Sequence, residues 1–247
     1  MSFHSGCRGC PPPRRDPGHT RISGSRAPPE AGRPSGVSSS EVPYLLVPGL
    51  GLDERSSARL RSLLTARVVR LPGMGEAAPV PDLDVLAARL SAGLGEGPVV
   101  LVGHSQSCQV VAAVARDPRV RAVVLLGPTT DPRLRTARGL VGRWLATAVR
   151  EPVRIVPAVL AQWWSTGPRA MTALWRRAAP DRIEDRLREV RVPVVVVRGT
   201  RDRLCDAGWA RAVAASAPAG RLVEIDGGAH LLPMTHPAAV ADVLRAI

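Results

Sequence analysis

From residue 42 onward the apolar residues follow two alternating patterns. Short continuous runs at 42–47, 68–71, 99–102, 120–126, 192–197 and 221–225 are rich in Val and Leu and bounded by Gly and Pro. Such runs predict strands buried on both faces. Between them the apolar positions take helical spacing: Leu60, Leu63 and Leu64 over 56–66, and Leu83, Leu86 and Leu90 over 82–94, the latter preceded by Pro81 and stopped by Gly95. Further helices are predicted from 109 to about 117, where Ala and Val lie on most faces, and over 207–217 and 237–247. Strands alternating with helices through short Gly/Pro loops predict an α/β fold with a mostly parallel sheet and helices on both faces.

The alternation breaks once. Residues 129–188 contain no credible strand and read as four helices, at 134–150, 153–164, 169–178 and 182–190, carrying Trp144, Trp163, Trp164 and Trp175. This predicts a helical lid inserted between two strands, with the tryptophans forming its core. Residues 1–40 are Ser, Gly, Pro and Arg with scarcely any large apolar side chains, too few to offset ordering entropy, and are predicted to be disordered. The expected organisation is a tail at 1–40, the first part of the core at 41–128, the lid at 129–188 and the second part of the core at 189–247.

Composition changes this picture little. A chain of 247 residues can bury enough surface to fold as one α/β domain without disulfides or a metal. The net charge of +13 comes from arginines spread along a chain with no lysine, one Phe and one Tyr. That is compositional bias and not a focused basic stripe interleaved with aromatics, so no nucleic-acid partner is expected. Cys7 and Cys10 form a CxxC with no second pair or His pair at zinc spacing, Cys108 reads as a small buried hydrophobe, and Cys205 lies near a chemically interesting loop. The absence of a cysteine framework, of an apolar stretch long enough to span a membrane and of an apolar leader predicts a cytoplasmic protein with no membrane span.

The chemistry gathers at strand ends. The run Val99–Val102 closes in Gly103-His104-Ser105-Gln106-Ser107 and passes directly into a helix. A serine wedged there, with small residues two places before and after it, has the arrangement of a nucleophile elbow, backed by the free N–H groups of a helix N-terminus. In an open parallel sheet ligands sit beyond the carboxyl ends of the strands. Three successive carboxyl-end loops place Ser105, Asp202 and His230 in the order serine, acid, histidine. Asp206 is the rival acid, farther from the strand end. His104 reads as a packed neighbour of the elbow, His236 as a helix-start residue, and His4 and His19 as tail residues without a role. Asp53 and the Gly73-Met74-Gly75 turn are candidates for the pocket lining.

These stretches, with Val47-Pro48-Gly49-Leu50-Gly51 and Gly227-Gly228-Ala229-His230, resemble the α/β-hydrolase superfamily in its lid-bearing branch of esterases, thioesterases and C–C bond hydrolases. The resemblance runs from residue 42 to the end. It implies a catalytic Ser105 with His230 as base and Asp202 orienting it, and an oxyanion hole made by the backbone N–H groups of Leu50 and Gln106. It implies no cofactor and no metal, and a small-molecule substrate, a small to medium apolar ester, thioester or C–C bonded compound. Two departures stand out: Pro48 occupies a position where the family usually has His, and the family's first two strands would have to come from the polar tail, so they are expected to be absent. An acyltransferase on the same triad and a non-catalytic ligand-binding protein of the same fold are the alternatives.

Overall fold

The computed structural model describes residues 18–22, 42–134 and 136–247. The expectations for Cys7, Cys10 and His4, and most of the tail, lie outside the described residues. The strands are β1 (His19–Ile22), β2 (Tyr44–Val47), β3 (Ala66–Val68), β4 (Leu71–Pro72), β5 (Gly75–Glu76), β6 (Val99–His104), β7 (Val120–Leu126), β8 (Val194–Gly199) and β9 (Gly220–Ile225). The helices are α1 (Ala58–Arg61), α2 (Leu83–Ala92), α3 (Ser107–Val114), α4 (Ala137–Ala148), α5 (Val156–Thr166), α6 (Pro168–Ala178), α7 (Ile183–Leu187), α8 (Ala207–Ser216), α9 (Leu232–Thr235) and α10 (Pro237–Arg245). Seven strands form one sheet in the order β1-β9-β8-β7-β6-β2-β3, parallel at every pairing, and β4 and β5 form a separate small ladder.

Alternate residues of the central strands serve opposite faces, as the two-residue period of a strand requires. Leu45, Val47, Leu101, Val123, Leu125, Val194 and Val196 pack with α2, α3 and α8 through Leu86, Leu90, Val110, Val111, Ala210 and Val213. Leu46, Val100, Val102, Val124, Leu126, Val195 and Val197 pack with Leu60 of α1 and Val240, Ala241 and Leu244 of α10. With both faces covered, the strands appear in sequence as unbroken apolar runs.

Three expectations change. Residues 56–66 contain only a turn of tight helix (Glu54–Ser57) and the one-turn α1, because Thr65 is already drawn to the sheet by the N–H of Tyr44 at 3.3 Å. The second strand ends at Val68, and Leu71 instead folds into a turn with Met74 through two backbone hydrogen bonds. The tail is not wholly without structure, since His19–Ile22 adds to the sheet beside β9. An edge strand needs little apolar surface. This one is held by its ladder and by the pairs His19–Glu224 at 2.8 Å and Arg21–Asp226 at 3.0 Å. Among the described residues no strand lies outside β3.

Helices α4 to α7 occupy the segment between β7 and β8; α4 and α5 bond to the loops at the carboxyl edge of the sheet, whereas α7 packs against α3 and α8 through Ile183 and Leu187. The Thr166 hydroxyl donates to the Gly51 carbonyl at 3.1 Å, and Gln162 Oε1 accepts the N–H of Asp53 at 3.0 Å. Thr147 Oγ1 accepts the N–H groups of Arg203 and Leu204 at 3.2 and 3.1 Å. Polar residues therefore share the inner faces of α4 and α5 with apolar ones, and of the expected tryptophan core only Trp163 packs inward, against Leu52, Ile155 and Val159. Trp144 and Trp163 stack at a tilt, 5.4 Å apart, Trp164 is 89% exposed, and of the five tryptophans only Trp209 of α8 is buried. Among the described residues no helix is long and apolar enough to cross a membrane.

Candidate active site

β6 delivers Ser105 and α3 backs it. Ser105 has φ 56°, a left-handed conformation that L-residues adopt at a cost of about 1–3 kcal/mol. The surroundings enforce it: its N–H donates to Leu126 O at 2.8 Å and its carbonyl accepts from Cys108 N at 3.2 Å. The turn is so tight that a Cβ on Gly103 would lie 3.0 Å from Cys108 Cα. Ser107, fully buried, satisfies its hydroxyl inside the elbow by accepting the N–H of His104 at 2.8 Å and lying 2.8 Å from the Val47 carbonyl. The smallness of both positions thus has a direct steric cause.

The three candidate side chains meet. His230 Nδ1 donates to Asp202 Oδ2 at 2.7 Å, and the Ser105 hydroxyl donates to His230 Nε2 at 2.8 Å. A carboxylate at Nδ1 fixes the tautomer, which leaves the Nε2 lone pair for the serine. Asp202 is buried, and its other oxygen accepts the N–H groups of Leu204 and Cys205 at 2.8 and 3.0 Å. Burial alone would push the His230 pKa down. The charge and hydrogen bond of Asp202, with the charge of Glu151, outweigh it, so the net displacement is upward. Asp206 is engaged elsewhere: it caps α8 through the N–H of Trp209 at 2.9 Å and pairs with Arg133 at 2.7 Å.

His104 does more than pack. Its Nε2 donates to the His230 carbonyl at 3.0 Å, and burial, with His230 nearby, holds its pKa down to about 3, so it is a neutral brace for the histidine loop. The loop of Leu50 runs beside Ser105, since a Cβ on Gly49 would lie 3.1 Å from Ser105 Cβ. Among the described residues the backbone N–H groups of Leu50 and Gln106 donate to no protein acceptor. The Gly73-Met74-Gly75 turn sits behind this loop, with Gly73 O accepting the N–H of Gly51 at 2.8 Å and Met74 wholly buried. Asp53 is tied to Arg55 at 2.6 Å. His236 lies at the start of α10 with its Nδ1 3.0 Å from Thr235 Oγ1. Cys108 and Cys205 are buried free thiols whose pKa values burial pushes well up, which leaves neither as a nucleophile. A groove of about 500 Å³ runs between residues 77–80 and the start of α6, and none of Ser105, Asp202, His230, Leu50 or Gln106 lines it.

Two supporting residues escaped the sequence reading. Arg198 is buried at the end of β8, where it pairs with Glu224 and donates to the carbonyls of Cys205 at 2.8 Å and Asp202 at 3.2 Å. It braces the acid loop. Its signal was present: a charge closing a run of four valines has to be paired to be buried. Glu151, from the inserted helices, accepts the N–H of Leu231 at 2.7 Å, and nothing in its local sequence announces that contact.

Among solved structures the chain is similar to a thermophilic esterase from Thermogutta terrifontis, at 22% identity and a TM-score of 0.66, covering 85% of this chain and 90% of that one. It is similar to a lipase-esterase related protein from Clostridium acetobutylicum at 17% identity and a TM-score of 0.70, covering 84% and 95% of the two chains. A serine hydrolase involved in carbazole degradation matches at 18% identity and a TM-score of 0.66, covering 83% and 90%. A search by sequence against curated proteins finds no match. At these identities the structural likenesses establish the fold, and the profile of the alpha/beta hydrolase family matches residues 44–243. The chain belongs to the alpha/beta hydrolase family.

Proposed function

We propose that this protein is a serine hydrolase that cleaves a small to medium, largely apolar ester, thioester or activated C–C bond through an acyl-enzyme. The observation that carries the reading is the continuous hydrogen-bonded chain from Ser105 Oγ through both nitrogens of His230 to Asp202. A serine hydroxyl is too weak an acid to attack unaided, and His230 takes its proton as Oγ adds to the carbonyl carbon. The resulting oxyanion is held by the N–H groups of Leu50 and Gln106, each worth roughly a hundredfold to a thousandfold in rate. Collapse expels the leaving group, which receives the proton from His230, and water then repeats the sequence on the acyl-enzyme. Asp202 holds the imidazole in the required tautomer and stabilises the imidazolium. The names of the similar structures, esterase and serine hydrolase, support this class. Helices α4 and α5 serve as a lid over the site, in keeping with their bonds to the loops around it.

The test is labelling with a fluorophosphonate probe, with the adduct mapped by peptide mass spectrometry. Labelling at Ser105, lost in Ser105→Ala and His230→Ala, is the expected result. A folded protein that takes no label would overturn the reading and favour a ligand-binding role. A second expectation concerns pH. The base must be neutral to act, and the His230 pKa is raised. The acidic limb of kcat/KM for a neutral ester should therefore lie above the ordinary imidazole value of about 6.5, activity rising with pH through it. A limb below that value would show that another group limits the reaction.

A further inference from the structure

Glu151 follows α4 and is the only Asp or Glu between residues 132 and 180. The stretch that holds α4, α5 and α6 thus brings a single carboxylate with it, and it lies against the histidine loop. Its Oε1 accepts the N–H of Leu231, the residue after His230, at 2.7 Å. Its Oε2 is buried and without a hydrogen-bond partner. A carboxylate oxygen left unpartnered out of water is unfavourable unless a positive charge stands close by. The imidazolium formed when His230 takes the serine proton is such a charge.

We infer that Glu151 is a positioning residue for His230, fixing the backbone beyond the histidine and adding a second negative charge that favours the protonated ring. The inference rests on the reading of His230 as the base. Three titratable groups act on this imidazole: Asp202, hydrogen-bonded to it from the loop after β8, His104, its ring 5.3 Å away at the end of β6, and Glu151, whose charge reaches it from beside the Leu231 N–H. His104 stays neutral, so it contributes a hydrogen bond and no charge. Asp202 belongs to the sheet framework. Glu151 is the one charge whose presence depends on how α4 and α5 are seated, so the basicity of His230 is tied to the seating of those helices. Burial, with the charge of Asp202, pushes the Glu151 pKa up on balance, against the Leu231 N–H and the charge and backbone N–H of His230, which hold it down.

The test is the pH dependence of Ser105 inactivation by a fluorophosphonate, compared among the parent, Glu151→Gln and Glu151→Ala. Glutamine keeps an oxygen for the Leu231 N–H and removes only the charge. The inactivation midpoint should then move to lower pH, with the high-pH plateau largely kept. Alanine removes both contributions, so the midpoint should move the same way while the plateau falls by about tenfold to a hundredfold as the histidine loses its support. A Gln variant with an unchanged midpoint would overturn the inference, and so would equal plateau losses in both variants, which mark a merely structural contact. Absence of any label on the parent counts against the hydrolase reading and not against this one. In that case titration of the His230 ring resonances by NMR, parent against Glu151→Gln, reads the same displacement without a nucleophile, and coincident titrations would overturn it.

Discussion

Alanine at position 105 is expected to lower kcat for an activated ester by about a million-fold, leaving the Michaelis constant little changed. Ser105 Oγ is the atom proposed to form the acyl bond, and among the described residues its hydroxyl bonds only to His230, so the truncation removes chemistry and little else. His230→Ala should cost nearly as much, because without the imidazole the hydroxyl keeps its proton. The double variant should be no slower than either single one, since the pair acts as a unit and what remains is catalysis by the Leu50 and Gln106 N–H groups. Asp202→Asn should lower kcat by about ten-thousand-fold, the amide favouring the wrong tautomer while the fold persists. Steady-state kinetics and a thermal melt on each variant check all four. A Ser105→Ala protein that keeps most of its turnover would remove Ser105 from the reaction.

Replacing Arg198 with methionine should cost up to about 3–5 kcal/mol of stability, the penalty for removing one partner of a buried ion pair, because it leaves Glu224 with only the half-exposed His19 beside it among the described residues. Arg198 and Glu224 are 4% and 8% exposed, so water compensates little for the loss. The variant also strips the Cys205 and Asp202 carbonyls of their donors, and the acid loop that these bonds hold is the loop that presents Asp202 to His230. Urea unfolding should show the loss, and kcat should fall in the protein that remains folded. Adding Glu224→Leu removes the buried charge, together with its pair to His19, and should recover part of the stability but not the activity, because the carbonyls stay unpaired. Full recovery of both would mean that Arg198 serves only the ion pair. A loss under about 1 kcal/mol would mean that the pair behaves as an exposed one.

Much of this protein is legible from residue order alone. The doubly buried strands announce themselves as valine and leucine runs, because a parallel sheet covered on both faces has no polar positions to interrupt them. The elbow is legible for a largely local reason: Gly103 is small because Cys108 and Val111 leave no room for a Cβ, and the Ser107 hydroxyl is bonded within the turn to the His104 N–H. Ser105, Asp202 and His230 could be chosen before any geometry was known, since each follows a strand and ligands gather at strand ends. Tertiary structure decided what depends on contacts far apart in sequence. It separated Asp202 from Asp206 by giving one to His230 and the other to Trp209 and Arg133. It set β1 at the edge beside β9, where a backbone ladder and two ion pairs replace the apolar surface that composition counts. It left Trp144 and Trp164 exposed and turned only Trp163 inward, against Leu52, Ile155 and Val159, while Thr147, Gln162 and Thr166 bond loop backbone from the same two helices. And it brought Glu151 to the histidine loop, a meeting of residues 80 positions apart that no local pattern encodes.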